Sequence, residues 1–471
     1  MPTGEFTYTG AWRPAPAPPP PPQGPDGPVL IVHAPDGRPL AEALAAHHAG
    51  AGVHLHEAGT RAPRPASAPR TVYFLGGLRT GTADGTAALE QAEERGVRAL
   101  FHCARDLLIP AAATRELDLR IVTNDTWPVA GSRVLNPHAA ALTGLARVLE
   151  SEHRRWRAPV VDLGLGGHLP GPGSPGMARL AALIAAEPAE RGLDAAHRDG
   201  VRHVRTLHPL TLPAAAPGRI RDGGTYAIVG GAGGIGLETA RFLARDHGAR
   251  VALLGRSALD PERGRRIREA DPDGTRLLYV RADASGTAGL RAGLGTVRER
   301  FGPVHGVIHS ALAHTPGLVR GLDEGALRES LAAKSRVSVA LAEVLGGEEL
   351  DFLLFFSSVQ AFLGDAGLAG YAAGSAFQDA YAHALDQRLP FPVRVVDWGW
   401  WGTVGAATGA QVRARALRQG FRSLSPREGF ETVLRTLGGR DVQVLALPAE
   451  DVLLARLGLT GRRPERSAAG R

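Results

Sequence analysis

Lysine is almost absent from this chain of 471 residues. Of its 54 basic residues only Lys334 is a lysine, and the other 53 are arginines. A guanidinium stays charged at any ordinary pH, whereas an ammonium is a compact point charge whose pKa follows its surroundings. Because arginine serves everywhere else, we expect Lys334 to lie where arginine cannot do the same chemistry. The alternative is a chance survivor on a solvated helix.

Cysteine and long apolar runs are also scarce. Cys103 is the only cysteine, which excludes a disulfide within the chain, and no Cys/His cluster has zinc-ligand spacing. His54 and His56 alternate in a predicted strand, and surface alternation explains them better than a metal site. No apolar stretch reaches membrane length, and no signal-peptide pattern is present. We therefore expect no metal, no membrane span and a reducing, cytoplasmic location.

The charge pattern narrows the choice of partners. Hydrophobic residues make up 44% of the chain and charged residues 21%, which is ordinary for a globular protein. The formal net charge is +7, but the arginines are scattered and no basic run is interleaved with aromatic residues. This distribution argues against nucleic acid, and the excess positive charge favours an acidic protein partner.

Two α/β patterns follow one another along the chain. Apolar strands that alternate with helix-length segments predict a buried parallel sheet. In the first pattern, the turn Ala34-Pro-Asp-Gly37 lacks the glycine spacing needed to approach a pyrophosphate. We therefore predict an α/β fold of two Rossmann-like subdomains, a truncated structural one without cofactor and a doubly wound, parallel-sheet catalytic one. The predicted strands are Val29–His33, Thr71–Leu75, Leu119–Thr123 and Val160–Leu163, then Tyr226–Val229, Arg250–Leu254, Leu277–Val280, Val304–Ile308, Phe352–Phe356, Val393–Val396 and Val442–Leu447.

The flanking segments differ in composition. Phe6–Trp12 reads as a short strand, and the stretch from Arg13 to Pro25 is rich in proline and alanine, which is typical of a linker. The polar C-terminal end predicts disorder. The predicted segments are residues 1–26 for strand and linker, 27–210 for the first, structural half, 211–460 for the second, catalytic half, and 461–471 for a disordered tail.

A glycine-rich loop follows the first strand of the second half. It reads Gly230-Gly-Ala-Gly-Gly-Ile-Gly236 and precedes a predicted helix at Leu237–Asp246. Such glycines permit a tight turn and a close backbone approach to a pyrophosphate at the helix N-terminus. The strand–loop–helix context makes this a strong prediction of a dinucleotide site. The glycines that satisfy one or other known spacing are Gly230, Gly231, Gly233, Gly234 and Gly236.

The next strand ends in residues that indicate which dinucleotide binds. NAD-selective sites place a carboxylate there for the ribose 2′-hydroxyl, but this chain has Arg256 and Ser257. An arginine and a hydroxyl favour the 2′-phosphate of NADPH, although a surface arginine is the alternative. Asp283 follows the third strand, where it can contact the adenine.

A serine and a tyrosine come together at the same sheet edge. Ser358 ends the fifth strand of the second half, and Tyr371 opens a predicted helix at Tyr371–Arg388. Parallel α/β sheets bind ligands at the carboxyl ends of their strands, so both side chains should face the cofactor. Reduction of a ketone needs a proton donor, and a tyrosine whose pKa is lowered by an ammonium can serve. Lys334, placed on the helix before the fifth strand, is the candidate ammonium.

Several longer stretches now carry a family resemblance. The chain resembles a ketoreductase unit of a modular polyketide synthase, within the short-chain dehydrogenase/reductase superfamily. Trp398-Gly-Trp-Trp-Gly402 and His309-Ser-Ala311 resemble the variant of synthases that use free-standing acyltransferases. The stretches that carry the main resemblance are Trp12-Arg-Pro14, Asn136 to His153, Val161-Asp-Leu163, Gly230 to Gly236, Leu331-Ala-Ala-Lys334, Phe355-Phe-Ser-Ser358 and Tyr371 to Asp379.

The resemblance implies roles for individual residues. Tyr371 would donate the proton, Ser358 would orient the carbonyl, Lys334 would tune Tyr371 and bind the nicotinamide ribose, and Ser375 would take part in proton relay. It also implies a segment near the substrate entrance, at Gly405–Phe421, that acts as a mobile lid; a simple surface helix is the alternative. Further cofactor contacts are expected from Ile235, Ala284, Ser310 and Trp398, and substrate contacts from His314, Leu363 and Leu368.

The family pattern is not complete. An asparagine is usual four residues after the tyrosine, where this chain has Ser375. A Leu-Asp-Asp stretch that marks one stereochemical class is replaced by His314-Thr-Pro316, and the tryptophan of the opposite class by Leu363. The missing aspartates are the one feature that favours a configuration, that of the L-hydroxy product.

These residues predict NADPH-dependent reduction of a β-keto group on an acyl chain carried by an acyl carrier protein. The chain has no nucleophile elbow and no phosphopantetheine attachment serine, so a carrier protein and other synthase domains are the expected partners. Carrier proteins are usually acidic, which suits the positive charge. A degenerate scaffold that docks a carrier without reducing it is one alternative. A sugar-nucleotide epimerase or dehydratase is another, but it would need Tyr-x-x-x-Lys.

Overall fold

The computed structural model describes residues 6–18, 27–60, 67–81, 84–214, 219–404 and 409–459. Their strands join in a single sheet of sixteen strands, most of them parallel. The predicted class, a mostly parallel α/β sheet flanked by helices, is confirmed. In chain order the strands are β1 Thr7–Pro14, β2 Val29–His33, β3 Val53–Glu57, β4 Thr71–Gly77, β5 Leu117–Asn124, β6 Trp156–Arg157, β7 Val160–Leu163, β8 Asp194–Arg198, β9 Val201–Pro209, β10 Thr225–Val229, β11 Arg250–Gly255, β12 Leu277–Arg281, β13 Gly306–His309, β14 Phe352–Ser358, β15 Val393–Trp398 and β16 Gln443–Ala446.

The order of the strands shows how the two halves join. It runs β12-β11-β10-β13-β14-β15-β16-β1-β9-β8-β7-β5-β4-β2-β3, with β6 beside β5. The stretches β12 to β16 and β8 to β3 are parallel, whereas β1 is antiparallel to both β16 and β9. The opening strand therefore joins two doubly wound sheets into one, a continuity that the sequence did not predict.

Helices cover both faces of this sheet and bury its apolar strands. Two short π-helical stretches, Glu94–Arg98 and Cys103–Leu108, interrupt the helical run that covers residues 85–112. The α-helices are α1 Arg38–His47, α2 Gly85–Glu93, α3 Ala99–His102, α4 Ile109–Ala112, α5 Ala140–Glu152, α6 Pro175–Ala186, α7 Gly234–Asp246, α8 Pro261–Ala270, α9 Thr287–Phe301, α10 Glu324–Ala332, α11 Ser335–Leu345, α12 Gln360–Leu363, α13 Ala369–Asp386, α14 Ala410–Arg418, α15 Pro426–Gly438 and α16 Asp451–Arg456.

Several boundaries differ from the sequence-based predictions. Arg13 and Pro14 belong to β1 rather than to the proline-rich linker, because they pair with Val204 and His203 of β9. The strands β8 and β9 were not predicted. They form a hairpin whose two-residue turn, Asp199-Gly200, has positive φ at both positions, as a tight hairpin turn requires. The rest of the linker from residue 19 to 25, and the predicted tail at 461–471, lie outside the described residues.

The helix α5 ties the first half to the site-bearing helix α13. Gly144 of α5 approaches α13 so closely that a Cβ at this position would overlap the backbone of Ala372. At the end of α5, the Glu152 carboxylate accepts hydrogen bonds from the backbone N–H groups of Val319, at 2.9 Å, and Gly367, at 3.1 Å. The first half thus supports the loops that lead into the site.

The described residues offer neither a membrane span nor a metal site. Within the described ranges, no helix combines the length and the apolar character needed to cross a bilayer. In the same part of the chain, no three His, Cys, Asp or Glu side chains are grouped so that they could hold a metal ion. His54 and His56 lie on β3, which pairs with β2 and forms an edge of the sheet as far as the structure describes it.

Candidate active site

The glycine-rich loop lies between β10 and α7 and is built for close backbone contact. Gly230 has a φ of 77°, and a Cβ there would lie 2.6 Å from the Cα of Ala311. A Cβ at Gly231 would lie 2.8 Å from the carbonyl oxygen of Ile228, and one at Gly236 would lie 2.8 Å from the Cα of Gly231. Gly233 caps the N-terminus of α7 without a side chain. This bare helix N-terminus after a parallel strand fits the pyrophosphate of a dinucleotide.

The residues predicted for the adenosine end meet at the neighbouring strand ends. Arg256 and Ser257 follow β11, and the exposed Arg256 guanidinium is 2.7 Å from Glu329 Oε1. Asp283 follows β12 and accepts hydrogen bonds from the backbone and hydroxyl of Ser285. These hydrogen bonds, followed by the charge of Arg256, lower the pKa of Asp283. The structure therefore brings Arg256 and Asp283 together, with the Arg256 side chain still accessible to a ligand.

Lys334 is buried, with 2% of its surface exposed. It lies at the junction of α10 and α11, where it caps α11, rather than inside a helix as predicted. Its ammonium donates to the carbonyl oxygen of Phe356, at 2.9 Å, and to Gln378 Oε1, at 3.0 Å. Burial lowers the pKa of Lys334 to about 8, and the carboxyls of Asp379 and Asp397 oppose that change. The ammonium therefore loses its proton within the ordinary working range of an enzyme.

Tyr371 and Ser358 meet Lys334 at the carboxyl end of β14. Tyr371 is on the first turn of α13, which begins two residues earlier than predicted, at Ala369. The Lys334 ammonium lies 5.5 Å from the centre of the Tyr371 ring. Burial raises the pKa of Tyr371, and a hydrogen bond with the Ser358 hydroxyl partly offsets this. The expected net lowering of the phenol pKa is therefore wrong for the protein alone, because burial outweighs the favourable interactions.

Ser375 lies one turn after Tyr371 on the same face of α13. It is fully buried, and its hydroxyl has no hydrogen-bond partner among the described residues. The neighbouring Ser357 hydroxyl donates to the Ser375 carbonyl oxygen at 3.3 Å. An orphaned buried hydroxyl beside Tyr371 is a suitable place for an ordered water.

The other predicted cofactor residues surround the crevice between these groups. Ile235 is in the first turn of α7, and Ala284 follows β12. Ser310 follows β13, and its backbone N–H donates to the carbonyl oxygen of Val229 at 2.8 Å. Trp398 ends β15 next to Ser358 of β14, and its buried indole N–H finds no acceptor in the described ranges.

The three predicted substrate residues have different surroundings. The His314 ring stands edge-on to that of Tyr371, with 6.3 Å between the centres. Leu368 caps the N-terminus of α13, three residues before Tyr371. Leu363 is 8% exposed and packs in an apolar cluster with Trp400 and Phe421. His314 and Leu368 thus lie next to the Tyr371 phenol, whereas Leu363 ends the neighbouring α12 and belongs to its apolar packing.

Sequence reasoning missed a buried layer behind the site. His309, fully buried on β13, lies 3.4 Å from the Lys334 carbonyl oxygen, and burial lowers its pKa to about 3. Gln378, Asp379 and Asp397 were also missed as functional candidates. The signal for Asp379 was its position two turns after Tyr371, which puts it on the same helix face. For Asp397 the signal was a carboxylate inside an otherwise apolar strand.

The segment predicted as a lid is partly described. Its helix is α14, which carries exposed Val412 and Leu417 beside its arginines. Residues 405–408 of the predicted range lie outside the described residues.

Comparison with known proteins agrees with this geometry. Residues 224–403 match the family described as KR domain. Polyketide synthase ThaG of Burkholderia thailandensis is 39% identical over 366 residues, which is 78% of this chain and 6% of the synthase. Polyketide synthase PksN of Bacillus subtilis is 30% identical over 349 residues, 74% of this chain and 6% of that protein. The chain thus spans only a small part of each of these relatives.

Solved structures share the fold over nearly the whole chain. An A-type ketoreductase from a modular polyketide synthase has a TM-score of 0.77 and 26% identity, with 98% of this chain and 97% of that chain covered. A ketoreductase domain from the bacillaene assembly line has a TM-score of 0.74 and 20% identity, with 96% and 99% covered. Residues 224–403 therefore form a KR domain on an oxidoreductase fold of the short-chain dehydrogenase type, and the chain is similar to ketoreductase units of polyketide synthases.

Proposed function

We propose that this protein reduces the β-keto group of a polyketide acyl chain to a β-hydroxyl group, with NADPH as the reductant. The observation that carries this proposal is the meeting of three groups at one strand end. The Tyr371 hydroxyl is hydrogen-bonded to Ser358, and the Lys334 ammonium lies near the Tyr371 ring. All three lie at the sheet edge that also bears the glycine-rich loop.

Each of these side chains has a part in the reduction. NADPH, when bound, supplies a hydride to the carbonyl carbon. The Ser358 hydroxyl holds the carbonyl oxygen, and the raised pKa of Tyr371 keeps its phenol protonated until the oxygen gains charge. The Tyr371 proton then passes to that oxygen, which completes the alcohol. The buried Lys334 ammonium stabilises the phenolate that remains.

The Lys334 ammonium and the Ser375 hydroxyl are the groups that we assign to reprotonation of the Tyr371 phenolate. The phenolate must regain a proton before the next cycle. The orphaned Ser375 hydroxyl can hold a water beside Tyr371, and this water would replace the amide that relatives carry at the same place. We therefore assign Ser375 to proton relay.

The choice of NADPH rests on Arg256. Its guanidinium is exposed and forms one ion pair among the described residues. Arg256 follows β11, where a dinucleotide places its adenosine ribose. Exposed pairs of this kind contribute little free energy, so a 2′-phosphate can replace Glu329 as the partner of Arg256.

The delivered substrate is an acyl chain on an acyl carrier protein. The similar proteins ThaG and PksN are polyketide synthases, and the net charge of +7 suits an acidic carrier. We also propose that residues 27–210 are the cofactor-free structural half and residues 211–460 the catalytic half. The missing aspartates only favour an L-hydroxyl, and chiral analysis of the product has to assign the configuration.

Activity assays can separate this function from a docking scaffold. NADPH consumption is measured with trans-1-decalone and with a β-ketoacyl thioester, for the wild type and for Tyr371→Phe. We expect Tyr371→Phe to lose at least about 10²-fold in kcat, the usual share of a positioned proton donor. Tyr381→Phe is the matched control, because it removes the hydroxyl of another tyrosine of α13, one that has no hydrogen-bond partner among the described residues.

The outcomes are distinct. Full activity in Tyr371→Phe would contradict the assigned proton donor. NADPH binding without turnover in the wild type would favour the scaffold, with Ser375 in place of asparagine as its cause. Chiral analysis of the product gives the hydroxyl configuration in the same experiment.

A further inference from the structure

Two buried carboxyls lie directly behind the proposed site. Asp397 is in β15, paired in register with Ser357 of β14, and Asp379 is on α13, two turns after Tyr371. Both side chains are 0% exposed. Carboxylates are almost never fully buried unless they are paired with positive charge or with donors, so this pair needs a compensating group.

Hydrogen-bond donors are too few for two ionised carboxylates. Asp397 Oδ2 accepts a hydrogen bond of 2.7 Å from Gln443 Nε2. The Ser357 hydroxyl lowers the pKa of both carboxyls, but it is one donor for two groups and also donates to the Ser375 carbonyl oxygen. Asp397 Oδ1 and both oxygens of Asp379 have no donor within hydrogen-bond distance among the described residues. Three orphaned oxygens of this kind would cost several kcal/mol if both groups were charged. A single proton held between the two carboxyls removes most of that cost.

The charges around Asp379 and Asp397 indicate that the pair carries one negative charge in total. Burial and the charge of Asp397 raise the pKa of Asp379 well above its usual range, as expected for two acids that share a site. Arg205, from β9 of the first half, donates to Gln443 Oε1 at 3.1 Å and stacks on Trp127, with its guanidinium 4.0 Å from the ring centre. One partly buried guanidinium and one buried ammonium therefore lie near the two carboxyls, and the charges of Asp194 and Arg147 also act on that guanidinium.

Two histidines and a tyrosine next to these charges are neutral at pH 7. His309 of β13 faces Lys334, and burial lowers its pKa to about 3. His383 of α13 is close to Arg205, and burial lowers its pKa to about 4. Tyr371 is protonated because its pKa is raised. No other described group is therefore placed to supply the negative charge that Lys334 requires.

We propose that Asp379 and Asp397 share one proton, and that the single negative charge of this pair keeps Lys334 in its ammonium form. The pair acts through Lys334 and consists of positioning residues, not catalytic ones. The effect on turnover rests on the proposed function, but the shared proton does not. The predicted state is one neutral and one ionised carboxyl at neutral pH.

A double-mutant cycle on the pH dependence of kcat tests this arrangement. In either Asp379→Asn or Asp397→Asn, the remaining carboxyl can ionise and keep the single charge. We therefore expect the alkaline limb to stay near its wild-type position in each single variant. The double variant removes the charge, so the alkaline limb of its pH profile should move to lower pH by about one unit or more. Asp246→Asn, which removes an exposed carboxylate of α7, is the control.

The opposite pattern would overturn the proposal. Two ionised carboxylates would each stabilise the Lys334 ammonium. Each single variant would then move the alkaline limb to lower pH, and the two shifts would add. A double variant with the wild-type profile would also contradict the proposal, because it would leave Lys334 independent of the pair.

Infrared difference spectroscopy gives a second test that needs no turnover. At neutral pH the wild type should show the carbonyl stretch of a neutral carboxylic acid, and each single Asn variant should lose it. Difference spectra separate this band from any contribution of Glu93 or Glu152, whose pKa values are also raised by burial. Absence of the band in the wild type, or its persistence in both variants, would overturn the shared proton. A band in a protein that fails to reduce ketones would contradict only the proposed function.

Discussion

At the scale of single residues, the proposed site is built around one buried lysine. Lys334 has its ammonium satisfied by the Phe356 carbonyl oxygen and by Gln378. An arginine would present a larger, planar fork that cannot titrate, and the lysine side chain already lies against Gly374, where a Cβ would be 3.2 Å from that of Lys334. This explains why the one lysine of the chain survives here.

The pH dependence of turnover follows from that burial. The pKa of Lys334 is lowered to about 8, so the ammonium is present below this pH and is lost as the pH rises through it. We expect kcat to be constant near neutral pH and to fall above about 8. A pH profile of kcat at saturating NADPH is the measurement, and a profile that stays flat well beyond that pH would show that Lys334 does not need its charge.

Arg256 should decide between the two nicotinamide cofactors. Loss of a charge-assisted hydrogen bond costs about 1.5–3 kcal/mol, which corresponds to about tenfold or more in KM. Arg256→Ala should therefore raise the KM for NADPH by that factor and leave the KM for NADH almost unchanged. Arg245→Ala is the control, because Arg245 is also exposed and also forms an ion pair, in its case with Asp246. Equal effects on both cofactors would rule out a 2′-phosphate contact.

The candidate residues that sequence could locate were those with local signals. The glycine-rich loop, Ser358 and Tyr371 each follow from a strand end or a spacing along the chain. Asp379 and Asp397 could not be paired in advance, because their contact depends on how α13 packs over β14 and β15. The sign of the Tyr371 pKa shift likewise depends on burial, which only the tertiary structure shows.

At the scale of elements, α5 and α13 form a contact that couples the two halves. Gly144 lets the helices approach so closely that α13 keeps Tyr371 at the end of β14. Most strands of the sheet were predictable from apolar runs, whereas β8 and β9 carry arginine and histidine and gave no such signal. The close crossing of α5 and α13 could not be predicted, because a glycine in a helix has no sequence signature for its partner.

A methyl group at this crossing should disturb the site from the other half of the chain. Gly144→Ala would place a Cβ against the backbone of Ala372, which cannot move as a side chain can. We expect a loss of about 1–3 kcal/mol in the free energy of unfolding together with a lower kcat.

A helical glycine in open surroundings provides the control for that substitution. At Gly295 of α9 nothing lies within 4 Å of an added Cβ. Gly295→Ala should therefore be neutral or stabilising by about 0.5–1 kcal/mol. Chemical denaturation and activity are measured on both variants, and wild-type behaviour of Gly144→Ala would refute the coupling.

At the scale of the whole molecule, one sheet carries both halves. The strand β1 pairs with β16 of the second half and β9 of the first. Arg205 adds a side-chain link between the halves, because it lies on β9 and donates a hydrogen bond to Gln443 of β16. The first half thus supports α13 and the buried layer, and the turn after its own first strand, Ala34-Pro-Asp-Gly37, lacks the glycine spacing of a dinucleotide site.

The positive charge should matter for a carrier-bound substrate only. Salt screens attraction between separated charges, so the KM for a β-ketoacyl group on an acidic carrier protein should rise several-fold with ionic strength. The same acyl group as a free thioester is the control, and its KM should not change. Equal salt dependence of both substrates would remove electrostatic docking from the account.

The transfer of deuterium tests the central proposal most directly. NADPH deuterated at the hydride that it transfers is incubated with a β-ketoacyl thioester, and the product is analysed by mass spectrometry. We predict one deuterium at the β-carbon of a hydroxyacyl product in the wild type and in Tyr381→Phe, and almost no product in Tyr371→Phe. Product without deuterium, or equal product from Tyr371→Phe, would contradict reduction at this site.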